Sequence, residues 1–233
     1  MTKYGLFFLL FYIGIYAESL VLHEPVSVDA ADQVKVLRGG AYFKSSCLSC
    51  HSLKYWRYDS LAKELGIDET VMPNWPDDSW GGHPPPDLSL IALEYGVSWL
   101  YTYLHAYYLD ESRPTGFNNL AMLHTSMPNP FADIQGVNTL KRGLSIAKLR
   151  SRPKQHWYQV VDFGPHGSFS PQEFDLYVED IVTFLSYVSD PSVVERRQLG
   201  PWVIGYGVLA IYLSLYIWIV RKKDMATKPK KRK

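Results

Sequence analysis

The chain has 233 residues, 47% hydrophobic and 20% charged, with a net charge of +1. That balance excludes a disordered chain and leaves room for one domain with a sizeable core and a few extra segments. Aromatics are heavy, with 17 Tyr, 10 Phe and 7 Trp, which suits either a membrane-interface protein or one that walls in a large flat cofactor.

The first expected segment is residues 1–17. Lys3, an apolar run from Leu6 to Ile15 and the small Ala17 form the pattern of a cleaved signal peptide, and the run is too short to span a bilayer comfortably. Residues 18–30 read as an extended lead-in. A helix is expected from Asp32 to Ser46, where Val34, Leu37, Ala41 and Tyr42 recur at helical spacing; Gly39 and Gly40 within it would let another element approach closely.

Residues 66–87, rich in Pro, Gly and Asp, read as a long functional loop. Asp87 is positioned to cap a helix over Leu88 to Tyr95, and an aromatic-rich helix is expected from Val97 to Leu109. Residues 110–170 read mostly as loop, with a short strand or hairpin around Trp157 to Phe163. Ser170-Pro171-Gln172-Glu173 is a capping box with Pro at the first helical position. It opens a helix whose apolar stripe is Phe174, Tyr177, Val178, Ile181, Phe184, Leu185 and Val188, stopped at Asp190-Pro191.

Trp202 to Val220 is 19 residues without a charge, about 28 Å as a helix, against a hydrocarbon core of ~30 Å. The tail after it carries eight Lys or Arg against one Asp, so the C-terminus is expected in the cytoplasm. The expected divisions are thus a leader at 1–17, a periplasmic domain at 18–198, a transmembrane helix at 200–220 and a basic tail at 221–233. With +7 in the tail and Lys3 in the leader, residues 18–220 sum to −7, a surface that could steer a basic partner.

Both cysteines of the chain lie in Cys47-Leu48-Ser49-Cys50-His51, and three chemistries compete for them. A redox dithiol normally opens a helix beside a strand of a βαβ unit, but here a helix precedes the motif. Structural zinc wants a second ligand pair, and no further Cys or suitably spaced His pair exists. Covalent haem requires two thiols at the spacing of one macrocycle's vinyl groups and an imidazole placed under the iron; His51 directly after Cys50 supplies it. The sixth iron ligand stays open among Met72, Met122, Met127 and His23, His83, His105, His124, His156 and His166, a thioether being the choice that suits an electron carrier. A haem peroxidase would need an open iron position and usually a second such motif, and one motif is present.

Taken in order, CLSCHSLKYWRYDSL, PPPDLS at 84–89, RPTGFNN at 113–119, SMPNPF at 126–131, SPQEFDLYVEDIVTFLSYVSDP and a C-terminal anchor resemble cytochrome c1, the haem-c subunit of the ubiquinol–cytochrome c reductase complex. The resemblance runs from about residue 32 to the tail. It implies a mainly α, c-type cytochrome fold with long irregular loops and one transmembrane helix. It implies one covalent haem c on Cys47 and Cys50, His51 as proximal and Met127 as distal iron ligand, with Pro84 to Asp87, including Pro85 and Pro86, along the haem edge. The last outer helix would pack across the helix before Cys47.

The implied partners are a cytochrome b and an iron–sulfur protein, a soluble or tethered cytochrome c as acceptor, and the lipid membrane; nucleic acid is not among them. The implied role is a single-pass inner-membrane electron relay within an oxidoreductase complex, without substrate chemistry of its own; the alternative is a free-standing tethered cytochrome c. One departure stands out. Family members commonly place an Arg soon after PPDLS, near a haem propionate, whereas here Leu90-Ile91-Ala92-Leu93-Glu94-Tyr95 follows. Arg113, Arg57 or solvent is left to serve that group.

Overall fold

The computed structural model describes residues 19–56 and 59–227; the expected leader, Arg57 and the end of the basic tail lie outside the described residues. The lead-in is extended and pinned by the Leu20 amide to the Leu120 carbonyl, the Leu22 amide to the Gln155 carbonyl and the Glu24 amide to the Thr102 hydroxyl.

Asp32 starts α1 (Gln33–Ser46) by accepting the Val34 and Lys35 amides at 3.1 and 3.2 Å, two donors that a first turn leaves without helical partners. The face α1 buries is Val36, Gly39, Gly40 and Phe43. The expected stripe is therefore displaced: Val34 is 70% exposed and Ala41 is exposed as well. Both rows have helical spacing, and the glycine pair decides between them by admitting a second helix.

After α2 (Ser60–Leu65), the loop expected at 66–87 carries only the single turn α3 (Ser79–Gly82), with Trp80 at φ +55°. α4 (Ile91–Tyr95) begins three residues later than expected, because Asp87 is engaged elsewhere and Leu90 takes the cap position. α5 (Val97–His105) stops short of Leu109. Tyr107–Leu109 instead forms β1, antiparallel to β2 (Phe117–Asn119), with Tyr107 opposite Asn119. Aromatic residues favour strand once a partner is at hand, and the 110–116 turn, closed by Gly116 at φ +75°, supplies it.

α6 (Ala132–Gln135) leads into β3 (Gly136–Leu140); α7 (Ile146–Arg150) and α8 (Trp157–Val160) precede β4 (Val161–His166), which pairs antiparallel with β3. The stretch expected mostly as loop thus completes two small antiparallel sheets, and the strand expected near Trp157 starts at Val161.

α9 (Pro171–Ser189) has the expected capping box, with the Glu173 amide on Ser170 Oγ at 3.3 Å and the Ser170 amide on Glu173 Oε2 at 2.8 Å. All seven residues of its expected stripe are buried. α9 crosses α1 where Gly39 meets the Asp180 carbonyl; a Cβ on Gly39 would stand 1.9 Å from that oxygen. Around the crossing, Arg38 grips the Asp180 carboxylate with two nitrogens, Lys35 pairs with Glu179 at 2.5 Å, and Phe43 and Trp56 pack on Phe184. α4 and α5 pack on the same helix, and one core joins them.

α10 (Val193–Thr227) is a single 35-residue helix, about 50 Å long. The apolar stretch expected as the span lies inside it, and none of its apolar window is buried in the protein. It is the one candidate membrane-crossing helix among the described residues.

Candidate haem site

α1 runs directly into the cysteine stretch. The Cys47 amide bonds the Phe43 carbonyl, and the Cys50 and His51 amides both reach the Cys47 carbonyl, at 3.0 and 2.9 Å. One further tight turn therefore places both thiols and the imidazole together at the helix end. Cys47 is buried, Cys50 is half-buried, and the two are not joined. Burial, reinforced by the neighbouring Cys50, pushes the Cys47 thiol up to about 12. A dithiol exchanger needs the opposite, a stabilised thiolate. Among the described residues no group of three or more His, Cys, Asp or Glu could hold a metal ion.

The PPPDLS segment is laced onto this turn. His51 is buried, and its Nδ1 lies 2.8 Å from the Pro86 carbonyl. A carbonyl only accepts, so Nδ1 carries the proton, and Nε2 keeps its lone pair. Burial lowers the His51 pKa, opposed in part by the Pro86 carbonyl and the Asp87 charge; the ring is therefore neutral, the form that ligates a metal.

Asp87 does not cap α4. Its Oδ2 accepts from the Ser52 hydroxyl and the Lys54 amide, each at 2.8 Å, and its Oδ1 from the Ser89 amide at 3.0 Å. The Leu88 amide on the Ser52 carbonyl and the Tyr55 amide on Ser89 Oγ complete the lacing. Burial alone would raise the Asp87 pKa, but the hydrogen bonds from Ser89, Lys54 and Ser52 outweigh it and hold the carboxyl below its ordinary value. Pro85 is half-buried beside this contact. From the long loop, Trp75 Nε1 donates to the Cys50 carbonyl at 2.9 Å, and Trp80 packs edge-on against Trp75.

Met127 is half-buried against the same core, on a loop braced by the RPTGFNN segment. Arg113 Nη2 donates to the His124 and Thr125 carbonyls at 2.9 and 3.4 Å. Asn118 Oδ1 takes the His124 amide, and Asn119 Oδ1 the Ala121 and Met122 amides. His124 itself sits at φ +62°, a conformation that non-glycine residues hold only when their surroundings impose it. The Tyr103 hydroxyl lies 3.5 Å from the Met127 sulfur, and Tyr107 and Thr125 bond Tyr103 in turn. Burial raises the pKa of both phenols, so they keep their protons. Cys47 and Tyr107 belong to the same buried core as Tyr103, against which Met127 also packs. Tyr95, at the end of α4, stacks on Trp99 of α5 at 4.3 Å, and Trp99 stacks on Tyr103 at 4.9 Å.

Several other candidate ligands are engaged elsewhere. His105 has Nδ1 at the Tyr101 carbonyl and Nε2 at Asp175. The His156 Nδ1 meets Glu24, and His124 is exposed. Met72 and Met122 pack against the core without a sulfur contact of the Met127 kind. As for the basic residue missing after PPPDLS, Arg113 spends one nitrogen on the Met127 loop, while its Nε is buried with no hydrogen-bond partner.

The donor set fits a covalently held haem: two thiols one turn apart, an imidazole with one nitrogen fixed by a carbonyl and the other unpartnered, a thioether and an aromatic surround. The thiols and His51 were singled out from the sequence, and the structure brings them onto one turn. Sequence reading missed the clamp made by Asp87 and Ser89, which an Asp-Leu-Ser turn signal could have suggested. It also missed Tyr103 and Thr125, for which no local signal exists.

Comparison with known proteins agrees. The model of the Cytochrome C1 family matches residues 72–226. Cytochrome c1 of Allochromatium vinosum is 35% identical over 213 residues, covering 82% of this chain and 85% of the relative. A Nitrosomonas europaea protein named ammonia monooxygenase gamma subunit is 30% identical over 199 residues, 78% of this chain and 79% of the relative. The mitochondrial cytochrome c1 haem protein of Saccharomyces cerevisiae is 23% identical over 255 residues, 94% of this chain and 75% of the relative. The chain belongs to the cytochrome c1 family, c-type electron carriers that bind one covalent haem c.

Proposed function

We infer that this protein is the membrane-anchored cytochrome c1 subunit of a ubiquinol–cytochrome c reductase, passing single electrons from an iron–sulfur protein to a mobile or tethered cytochrome c. Cys47 and Cys50 hold the haem through thioethers, His51 is the proximal ligand and Met127 the distal one. The observation that carries this reading is the His51 Nδ1 bond to the Pro86 carbonyl at 2.8 Å, which orients the ring and frees Nε2 for iron. When bound, the haem supplies the one-electron chemistry. The chain holds and orients it, excludes water with the core around α1, α5 and α9, and presents a face for docking. Residues 18–198 form the domain on the periplasmic side, 200–220 cross the inner membrane, and 221–233 remain cytoplasmic, with 1–17 removed as a leader.

The docking face is supported by charge. Between Lys63 and Arg113 there is no Lys or Arg, against nine Asp or Glu. Glu64, Asp68, Glu69, Asp77 and Asp78 are all exposed, and the loop carrying the last two touches the Cys50 carbonyl through Trp75. A basic acceptor would be drawn to that side of the haem.

Affinity purification of the full chain from membranes in mild detergent tests the assignment. Co-recovery of a b-type cytochrome and an iron–sulfur protein is expected; recovery alone would leave a free-standing tethered cytochrome instead. Met127→Leu is expected to abolish the weak thioether-to-iron absorption band and lower the midpoint potential sharply. The same loss from Met122→Leu, with Met127→Leu silent, would move the ligand to Met122.

A further inference from the structure

We propose that Tyr103 is a positioning residue for the distal ligand, donating its hydroxyl proton to the Met127 sulfur and thereby raising the reduction potential of the haem. This rests on the reading of Met127 as distal ligand, and it goes beyond that reading in assigning the control of potential to a residue outside the ligand set.

Tyr103, Tyr107 and Thr125 form a buried hydroxyl group, with Tyr107 to Tyr103 at 2.8 Å and Tyr103 to Thr125 at 2.9 Å. Each hydroxyl has one proton to give. The fully buried Tyr107 gives its proton to the Tyr103 oxygen. Thr125 Oγ1 already accepts the Met127 amide at 3.3 Å, so its own proton is free to point at Tyr103. The Tyr103 oxygen then accepts twice, and its proton faces the one group here that can only accept, the Met127 sulfur at 3.5 Å. With the Tyr103 proton turned to Thr125, the sulfur would lose its donor. Within these contacts, the arrangement in which every hydroxyl donates and the sulfur is served is the one that ends on Met127.

Donor and acceptor also come from separately braced pieces of chain. The Tyr103 ring is stacked on Trp99, its backbone carbonyl accepts from the Asn119 side-chain Nδ2 at 2.7 Å, and Tyr107 lies edge-on to it. The sulfur rides on the loop that Arg113 and Asn118 hold from the other side. Neither partner has to be ordered for the contact to form, which is what a preorganised site requires. A hydrogen bond to a thioether draws electron density away from iron, and its dipole presents a positive end to the centre. Both disfavour the more highly charged ferric state, and a buried, low-dielectric setting strengthens the effect.

The test is optical redox titration of the full-length, haem-loaded chain and its variants. Tyr103→Phe is expected to keep the thioether band, shifted in position, and to lower the potential. A tenfold change in the redox equilibrium corresponds to about 59 mV for one electron, and a shift of roughly that order is expected. Tyr107→Phe leaves the Tyr103 donation in place and should move the potential less. Thr125→Val leaves the Tyr103 proton no acceptor but sulfur and should hold or raise it. An unchanged potential in Tyr103→Phe, equal falls in Tyr103→Phe and Tyr107→Phe, or a fall in Thr125→Val would each overturn the proposal. Should Tyr103→Phe take up no haem, the Thr125→Val result alone decides. If Met127→Leu keeps the thioether band, the ligand reading fails first, and the two failures are distinguishable.

Discussion

Asp87 shows how a single residue can be placed correctly along the chain yet given the wrong work. Its position before an apolar run reads as a helix cap, and the same side chain in an Asp-Leu-Ser turn can instead accept from donors brought by tertiary structure. Here Ser52 and the Lys54 amide win, and the helix start moves to Ile91. The cysteine turn was legible because the covalent haem attachment of this family demands set residue types at set spacing within five residues. The partners of His51 and Met127 were not, since Pro86 lies 35 positions from His51 and Tyr103 lies 24 from Met127. Asp87→Ala would strand the Ser52, Lys54 and Ser89 donors and is expected to cost roughly 1–3 kcal/mol, read as a lower denaturant midpoint for the haem band. The pH dependence has a definite sign. Because the folded carboxyl is depressed, its contribution is present above the ordinary carboxylate range near pH ~4 and is lost as pH falls through the lower folded value. In Asp87→Ala that acid-dependent part should disappear; an acid profile identical to the wild type would show that Asp87 is not its source.

At the scale of elements, α9 was the most legible, because a capping box, a proline at the first position and a seven-residue stripe all agree. α1 was legible in extent but not in face, since Val34 and Val36 fit helical periodicity equally well and only the partner helix chooses. The two small sheets were hidden for a related reason: strands of three to six residues carry too little alternation to announce themselves without the strand they pair with. The crossing at Gly39 yields the sharpest prediction. Gly39→Ala puts a methyl group where the Asp180 carbonyl already stands, and backbone cannot rotate away as a side chain can. A loss of roughly 1–3 kcal/mol or more is expected, with reduced haem content on purification. Ala41→Ser, on the exposed side of the same helix, should change neither. Wild-type stability in Gly39→Ala would mean that the helices can separate at no cost.

For the molecule as a whole, composition carried the main division, a domain plus one long apolar helix, and the basic tail set the expected orientation. What composition could not give was where the negative charge gathers. The absence of Lys and Arg from 64 to 112 places it on the loop beside Cys50 and on the elements that follow. Electron transfer to a basic cytochrome c is therefore expected to slow as ionic strength rises through the range where the screening length falls to about 10 Å and below. Charge reversal at Asp77 and Asp78 should flatten that dependence. A rate indifferent to salt would remove electrostatic steering from the account.

The join between domain and anchor has a mechanical consequence. Only Asp190, Pro191 and Ser192 separate α9 from α10, and both sides of the gap are tied. Arg196 grips Asp190, whose carboxyl is held down at about 2 by that contact and by Ser192, and Arg197 reaches across to Asp29 at 2.5 Å. A join of three residues leaves little chain to serve as a tether. With α10 crossing the bilayer as proposed, so short a join would keep the cysteine turn within a narrow range of heights above the lipid. Under the proposed function, the travelling in each electron-transfer cycle would fall to the donor and the acceptor, with this protein as the fixed landing stage between them.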